Sequence, residues 1–442
     1  MVRSGGTTAG PRSWQRGTTT ALVLLILGLS GLVGCGGVDP AGEVVVDGAS
    51  WARVADPDGV FGTPEQESVG ISDVVVGGPG YVAVGTHGQG RFGEDGTVAA
   101  VWTSEDGTTW NRVPHDDEVF GAVGSGRLTA ASAVTTGGPG LVVVGFEARD
   151  GASVALAWLS ADGLAWTRVE VDDPRERGAT GLYLQAIVDT DDGLVAVGME
   201  RGRPTDAPEY LAAWGSVDAV EWAPIALTPE EDAAVWGWLS AVAVHDGQVV
   251  AAGTTDGPDG QRWVATVWRG SAAEGLVRIP HDDEVFGGAG MPGINGLTTG
   301  GAGLVAVGTT TSHHLDEPKW SPAAVWTSPD GATWQRVAHD DEVFGVDDDA
   351  TISDVVATDR ALIAVGTRVL GWEDPLDMRF IGTVWTSPDG LTWTRLADED
   401  GTFSGDGHTS LSAITAGPHG LVAVGAVGAG EGSTIGAVWT SP

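Results

Sequence analysis

Residues 304–334 read LVAVGTTTSHHLDEPKWSPAAVWTSPDGATW, and this stretch holds most of a unit that the chain repeats. It opens with an apolar run that ends at Val307-Gly308, and a second apolar run carries Trp326. The turn sequence SPDG follows at 328–331, and a further segment begins at Trp334. Short β-branched runs separated by Gly, Pro and Asp predict strands joined by turns. No apolar period of 3.6 residues, which would predict helices, accompanies them.

The first run of this unit occurs seven times along the chain. The copies end in Val-Gly or Ala-Gly and lie at 81–85, 141–145, 194–198, 249–253, 304–308, 362–366 and 421–425. Each is followed by an apolar run with a tryptophan, namely Trp102, Trp158, Trp214, Trp268, Trp326, Trp385 and Trp439. With the apolar stretch before each copy and the segment after each turn, a unit has four short strands. Four-stranded units in series predict an all-β, seven-bladed β-propeller.

The two ends of the repeat are out of phase. The seventh unit reaches Trp439 and stops where its fourth strand should begin. The missing strand lies at the other end, because 50–54 (SWARV) matches 109–113 (TWNRV). We therefore expect the N-terminal strand to complete the last blade and close the ring, which removes exposed sheet edges.

The first 48 residues have a different composition from the repeat. Arg3, Arg12 and Arg16 precede an apolar segment at 20–31 that is short for a membrane span, and the pattern is typical of a signal peptide. Residues 32–35, which end at Cys35, resemble the lipobox of bacterial lipoproteins. The resemblance implies cleavage before Cys35 and a diacylglycerol on its sulfur. The expected divisions are a signal peptide at 1–34, a lipidated tether at 35–48 and a propeller at 49–442.

The composition limits the partners. The chain has 22 basic and 60 acidic residues, a net charge of −38, and three of the basic residues precede Cys35. Such a surface repels nucleic acid and anionic lipid headgroups, so neither is expected as a direct partner. The single cysteine excludes an intrachain disulfide.

The turn before each fourth strand carries a motif. Residues 104–110, 160–166, 328–334 and 387–393 read S-x-D-G-x-x-W, which resembles the Asp-box, or bacterial neuraminidase repeat. The spacing is one residue shorter than usual, and the copy at 216–222 has Ala219 in place of Gly. The resemblance implies a sialidase-like propeller scaffold. We expect the Asp side chain to cap backbone N–H groups and the Trp to pack between sheets.

The resemblance to sialidases implies a particular active site. It would have three arginines that bind a substrate carboxylate, a Tyr with a neighbouring Glu as nucleophile, and an Asp as acid/base. Of the three tyrosines, Tyr183 alone stands at the entry to an inner strand. Six arginines share one place in the outermost strand and therefore belong to the repeat, namely Arg53, Arg112, Arg168, Arg278, Arg336 and Arg395. No arginine triad and no catalytic residue can be assigned on this basis, so we expect a chain that is not an enzyme.

A meander of four strands has two unlike faces. The connections between the first and second and between the third and fourth strands lie on what we call the turn face, and all others lie on the loop face. The loop face carries an acidic block, HDDEVFG, at 115–121, 281–287 and 339–345. Its carboxylates are hard ligands of the kind that Ca²⁺ prefers. The near-identical copies favour a packing role instead, with the Phe wedged between blades.

The connections between the second and third strands differ from one unit to the next. Irregular loops on a rigid scaffold commonly carry binding residues. We take as candidate ligand-binding residues Phe92, His313, His314, Trp320 and Trp372. The alternative is that these side chains only cover the loops beneath them.

Together these features predict a monomeric lipoprotein on the extracytoplasmic side of a bacterial cell membrane, lipidated at Cys35. The propeller is expected to act as a non-catalytic binding or scaffold module for an envelope protein or a glycan, without cofactor or metal. The alternative is a sialidase-like glycan hydrolase that uses the mouth of the channel, and a metal-stabilised propeller is a third possibility.

Overall fold

The computed structural model describes residues 51–442 apart from 57, 64–66, 90–95, 123–126, 150, 172–180, 202–208, 230–235, 258–262, 289–290, 302, 311–312, 315–316, 319–321, 346–348, 372–377, 399, 406–407 and 431–432. The antiparallel pairings divide the longer strands into meanders of four, here called sheets 1 to 7; one parallel pair joins sheets 2 and 3 into an eight-stranded sheet, and a further short strand adds to sheet 4. The all-β class predicted from the sequence is confirmed.

Within each sheet, neighbouring strands follow one another in chain order, apart from the last strand of sheet 7. The first strands are β2 (Glu67–Gly77), β6 (Leu128–Gly137), β10 (Gly181–Thr190), β15 (Gly237–His245), β19 (Gly293–Gly300), β25 (Asp349–Ala357) and β29 (Thr409–Gly417). The second strands are β3 (Gly80–Gln89), β7 (Gly140–Arg149), β11 (Gly193–Arg201), β16 (Gln248–Asp256), β20 (Gly303–Thr309), β26 (Leu362–Leu370) and β30 (Gly420–Gly430). The turn between the first and second strands thus falls at nearly the same place in the repeat in every sheet.

The outer half of each sheet is shorter. The third strands are β4 (Val98–Ser104), β8 (Ala152–Ser160), β12 (Glu209–Ser216), β17 (Trp263–Ser271), β23 (Ala323–Ser328), β27 (Arg379–Ser387) and β31 (Ser433–Ser441). The fourth strands are β5 (Trp110–Arg112), β9 (Thr167–Val171), β13 (Ala223–Pro224), β18 (Gly275–Arg278), β24 (Gln335–Arg336), β28 (Thr394–Arg395) and, for sheet 7, β1 (Ala52–Arg53). As the repeat register predicts, β1 pairs with β31, with Arg53 opposite Trp439.

The other elements are short. β14 (Leu227–Thr228) lies parallel to β18, and β21 (His313–His314) pairs with β22 (Glu317–Pro318) in a small hairpin. Two single-turn helices, α1 (Asp117–Phe120) and α2 (Asp341–Phe344), follow the fourth strands of sheets 1 and 5. Within the residues described above, no helix is long and apolar enough to cross a membrane.

Neighbouring sheets pack face to face. The first strand of each sheet contacts the first strand of the next, and β29 contacts β2. The apolar clusters lie between adjacent sheets: in one of them Val82 of sheet 1 packs with Val143 and Trp158 of sheet 2. The third-strand tryptophans are the largest side chains that are fully buried. The core is therefore a series of similar interfaces, as a repeated sequence requires.

The acidic blocks of the loop face pack between sheets. Asp116 caps the N-terminus of α1 by accepting a hydrogen bond from the Glu118 amide at 2.9 Å, and Phe120 is buried. The indole Nε1 of Trp158 in sheet 2 donates to the Val119 carbonyl at 2.7 Å. Equivalent indole hydrogen bonds join Trp102 to Val60, Trp326 to Val285, Trp385 to Val343 and Trp439 to Thr402. These contacts favour the packing interpretation of the blocks over the Ca²⁺ interpretation.

The Asp-box-like turns are closed by their own side chains. Asp106 Oδ1 accepts from the Thr108 and Thr109 amides at 2.8 and 2.7 Å, and Trp110 Nε1 donates to the Gly107 carbonyl at 2.8 Å. Gly107 has a φ of 79°, which glycine adopts without strain, whereas Ala219 takes a φ of 60° in the variant turn. The hydrogen bonds that Asp106 accepts lower its pKa to about 2. The equivalent backbone hydrogen bonds in the other four turns lower the pKa values of Asp162, Asp218, Asp330 and Asp389.

The five turns make the fold sensitive to acid. Because the pKa of each Asp is lower in the folded chain than its ordinary 3.8, the stabilisation is complete above pH 4 and is lost as the pH falls towards 2. We expect the thermal midpoint to fall steeply over this interval, and Asp106→Asn to make the fall shallower. Glu105→Gln removes a carboxylate one residue away and is the control. Identical profiles for Asp106→Asn and the wild type would contradict this origin of the acid sensitivity.

Candidate functional site

The first strand of every sheet carries a β-bulge at the same place in the repeat. The bulged residues are Ser72, Ser132, Gln185, Ser240, Asn295, Ser353 and Ser412. Two residues before them stand Gly70, Ala130, Tyr183, Trp238, Gly293, Thr351 and Ser410. Tyr183 and Trp238 are the aromatic residues of this set, and they lie on β10 and β15, which contact each other. At this level the seven first strands are therefore unequal, with large aromatic side chains on two adjacent strands and small side chains on the other five.

Tyr183 bridges sheets 2 and 3. Its hydroxyl accepts a hydrogen bond from Ser153 Oγ at 2.6 Å, and its ring lies edge-on to Phe146 with 4.8 Å between centroids. The guanidinium carbon of Arg201 is 5.5 Å from the centre of the Tyr183 ring, a distance typical of a cation–π contact. A parallel pair between Gly181 and Ser153 joins the two sheets at this point. The ring is half-buried, and its orientation is fixed from both sides.

Three tryptophans gather at the loop-face end of sheet 4. The rings of Trp238 and Trp263 are 5.6 Å apart between centroids, and both are half-buried. Trp236 is more exposed, and its carbonyl accepts a hydrogen bond from the Asp256 amide at 2.9 Å. We call Tyr183, Phe146, Trp236, Trp238 and Trp263 the aromatic site. Exposed aromatic surface on a rigid scaffold is a common basis for ligand binding.

A buried carboxylate lies next to the aromatic site in the sequence. The Glu147 side chain is almost fully buried and contacts Arg168, Arg149 and Arg127 at 3.0, 3.3 and 3.6 Å. Arg149 also binds the more exposed Glu170 at 3.1 Å, and this hydrogen bond raises the pKa of Arg149. A buried charge must be paired, and here three arginines supply the pairing. Together the two glutamates and three arginines form what we call the Arg–Glu cluster, with an excess of one positive charge.

The arginines of the outer strands keep the place that the repeat predicts. All six stand opposite the third-strand tryptophan of their sheet: Arg53, Arg112, Arg168, Arg278, Arg336 and Arg395. Arg336, for example, lies over the Trp326 ring at 5.9 Å. Arg168 has a second role, because it also pairs with Glu147. Sequence analysis did not find this cluster, since Arg127 and Arg149 lie outside the repeated position.

Most of the ligand-binding residues predicted from the sequence lie outside the described part of the chain. Phe92, Trp320 and Trp372 lie outside the described residues, as does Cys35. His313 and His314 form β21, but only their backbone is described. The sequence did not point to the aromatic site, because the candidate residues were taken from the irregular connections between second and third strands. A signal was present, since Trp236, Trp238 and Trp263 are tryptophans that match neither of the two repeated Trp positions.

One other concave feature of the described chain is less suited to a ligand. A cleft of about 580 Å³ beside β1 is lined by Arg53, Asp56, Asp58 and Ile435, but the Asp56 carboxylate already accepts the Val60 and Phe61 amides. No group of three or more His, Cys, Asp or Glu side chains is arranged to hold a metal ion anywhere in the part that the structure describes.

Comparison with known proteins gives a likeness of fold. No family model matches the chain, and no curated protein matches it. Among solved structures it is similar to a Penicillium chrysogenum alpha-L-arabinanase complexed with arabinobiose. The identity is 11% over 86% of this chain and 98% of the arabinanase, with a TM-score of 0.44. It is also similar to the Trypanosoma rangeli sialidase in complex with sialic acid, at 11% identity over 93% of this chain and 59% of the sialidase, with a TM-score of 0.43.

A thermostable family-43 glycoside hydrolase is a further neighbour, at 13% identity over 57% of this chain and 86% of the hydrolase, with a TM-score of 0.32. At 11 to 13% identity these likenesses concern the fold alone. They correct the expectation that the chain is not an enzyme, because the neighbours are glycoside hydrolases. That expectation depended on finding no arginine triad in the sequence, and it was wrong to exclude catalysis on that ground.

Proposed function

We propose that this protein is a glycan-hydrolysing β-propeller of the cell envelope and that its substrate binds at the aromatic site. The observation that carries the proposal is the pair Tyr183 and Trp238, which place aromatic rings on two adjacent strands at an otherwise small-residue mouth. A sugar ring has an apolar face and a polar edge, and aromatic surface with a few fixed polar groups matches both.

Arg201 and the Arg–Glu cluster, whose Glu147 follows Phe146 in the sequence, offer polar groups that suit the edge of a sugar. Arg201 is exposed and lies over Tyr183, and Glu170 is the more exposed carboxylate of the Arg–Glu cluster. Glycoside hydrolysis commonly uses two carboxyl groups about 5 to 10 Å apart. Glu147 and Glu170 share one nitrogen of Arg149, at 3.3 and 3.1 Å. We assign substrate contact to Glu170, while Glu147 positions the arginines.

Among the described residues, no Glu is hydrogen-bonded to the Tyr183 hydroxyl, so the sialidase-type pairing of a Tyr with a Glu is not seen there. Ser153 donates to its hydroxyl, so the oxygen already has a hydrogen-bond partner of another kind. The substrate that we propose is therefore defined by ring stacking and by polar contacts at the rim, and it does not require a free arginine triad.

We further propose that the seven sheets are the blades of one closed ring. Support comes from the pairing of β1 with β31 and from the contact between β29 and β2. The chain is proposed to be a monomer anchored by lipid at Cys35 on the extracytoplasmic side, as the sequence at 1–35 predicts. Mass spectrometry of the membrane-extracted chain tests this, since Cys35→Ser should lack the lipid mass and leave the membrane fraction.

The aromatic site is tested by Trp238→Ala. Loss of a central aromatic contact typically costs about 2 kcal/mol or more in binding, which is roughly a thirtyfold loss of affinity. The measurement is binding of the wild type to a glycan array, then titration of each ligand found, with hydrolysis of the same glycans followed by product release. Trp238→Phe keeps a ring and should retain part of the affinity.

The control is Leu391→Ala, which changes an exposed side chain on the opposite face and should leave binding unchanged. If Trp238→Ala bound glycans with the affinity of the wild type, the aromatic site would not be the binding site that we propose. A wild type that binds glycans and cleaves none of them would retain the site and contradict hydrolysis.

A further inference from the structure

The exposed large apolar side chains of the described chain are not spread evenly. There are six of them, and four lie in turns between third and fourth strands: Leu164, Val217, Val220 and Leu391, which are 58, 76, 51 and 52% exposed. Leu164, Val220 and Leu391 occupy the same place in their turns, two residues before the tryptophan. All four therefore lie on the turn face, in sheets 2, 3 and 6. Trp236 is on the loop face, and Val277 lies on an outer strand.

The N-terminal segment leaves the fold on the same face. Trp51, which directly precedes β1, has the register position that Trp110 has at the start of β5 in sheet 1, and Ser441 has that of Ser104. The connection between these positions is the Asp-box-like turn in sheet 1 and lies on the turn face. Trp51 itself is buried against Phe403, with ring centroids 5.8 Å apart, so the exit point is fixed.

The length of chain before Trp51 limits how the molecule can be held. Fifteen residues separate Cys35 from Trp51, which is about 50 Å of fully extended chain. A strand of ten residues is itself about 30 Å long. To bring the loop face to the membrane, the segment would first have to pass along the full height of the sheets. With the turn face towards the membrane it would not.

We propose that the turn face rests on the membrane surface, with Leu164, Val220 and Leu391 in contact with lipid, so that the aromatic site faces away from the membrane. This inference depends on the lipid anchor proposed above. The apolar side chains stand beside Asp162, Asp218 and Asp389, which are ionised at neutral pH. The surface should therefore prefer zwitterionic to anionic lipid, because like charges repel.

The experiment uses the full lipidated chain in phosphatidylcholine vesicles that contain a spin-labelled lipid. An environment-sensitive dye is attached to Leu164→Cys or Leu391→Cys, since the thiol of Cys35 is blocked by its lipid. We expect both dyes to shift to the blue and to lose most of their emission to the spin label. The matched control is Val277→Cys, which is 55% exposed but lies outside the turns and should keep its emission. Anionic lipid in the vesicles should weaken the quenching at low salt.

The outcomes separate the two proposals. A chain recovered without lipid ends the anchor proposal and this one with it. A lipidated chain in which the dyes at 164 and 391 keep their emission ends this one alone. Quenching of a dye at Trp236→Cys, on the loop face, would show the opposite orientation and would also overturn it. If the unlipidated Cys35→Ser variant formed dimers through the turn face, that result would also overturn the proposal of membrane contact.

Discussion

Replacing Trp158 with alanine is expected to lower the free energy of unfolding by about 3–5 kcal/mol, the usual cost of removing a buried aromatic side chain. Trp158 is fully buried in sheet 2, and it packs with residues of sheet 1 and with Phe120. Its indole also hydrogen-bonds Val119 in the loop that joins these two sheets. The whole stability of a domain is commonly about 5–15 kcal/mol, so the loss is a large share. Chemical denaturation followed by circular dichroism measures it.

Two further variants separate the causes. Trp158→Phe keeps most of the packing but leaves the Val119 carbonyl without its indole donor, so we expect a cost of about 1 kcal/mol from the lost hydrogen bond, plus a smaller packing loss. Leu164→Ala changes an exposed residue in the next turn and should stay within about 0.5 kcal/mol of the wild type. A Trp158→Ala variant as stable as Leu164→Ala would mean that the repeated tryptophans do not hold the sheets together.

The second large effect is expected at Asp73, which is fully buried on the first strand of sheet 1. Its Oδ1 accepts the Val74 amide at 2.7 Å, and its Oδ2 accepts the Val134 amide of sheet 2 at 2.8 Å. Asp354 makes the same contact from sheet 6 to Ile414 of sheet 7, at 2.8 Å. Each carboxylate therefore fastens one first strand to the next.

Asp73→Ala should cost about 1–3 kcal/mol for each of the two amides left unpaired in the interior. Alanine or glycine occupies the equivalent place in the other five sheets: Ala133, Ala186, Ala241, Gly296 and Ala413. The strand therefore tolerates a small residue here, and the cost measures the lost hydrogen bonds. Asp359→Ala, at an exposed turn, is the control. Equal stabilities of the two variants would contradict a fastening role.

Asp73 should also give stability a dependence on pH opposite to that of the turns. Burial raises the pKa of Asp73 well above its ordinary 3.8, and the negative charge of Asp354 raises it further. A raised pKa means that the folded chain holds this proton more tightly, so its contribution is greatest in acid and declines as the pH rises above 4. Asp73→Asn cannot titrate, and it should gain stability relative to the wild type as the pH rises above 4. A constant difference would contradict the raised pKa.

Much of the fold could be predicted because the sequence repeats itself. The Val-Gly runs, the buried tryptophans and the Asp-box-like turns recur in one order, and each has a local physical cause. Asp106 caps its own turn, and Gly107 supplies the conformation that the turn requires. The match of 50–54 to 109–113 was sufficient to predict the pairing of β1 with β31.

The candidate site was beyond reach because it depends on departures from the repeat. Trp238 and Tyr183 are 55 residues apart, and nothing near either one in the sequence points to the other. Their strands, β10 and β15, contact each other, and the bulges of the two strands fall at the same place in the repeat. The same holds for Glu147, whose three arginines come from three different segments.

By itself, the sequence determined the all-β class, the four-stranded unit and the structural role of the turn aspartates, because these follow from short-range hydrogen bonding and alternating burial. Tertiary structure alone decided which groups far apart in the sequence meet across strands and sheets: the Asp73 carboxylate with the Val134 amide, Tyr183 with Ser153, and Glu147 with Arg168. Such contacts are set by the stagger and twist of whole sheets against each other. They therefore depend on every strand at once, and no local pattern of residues encodes them.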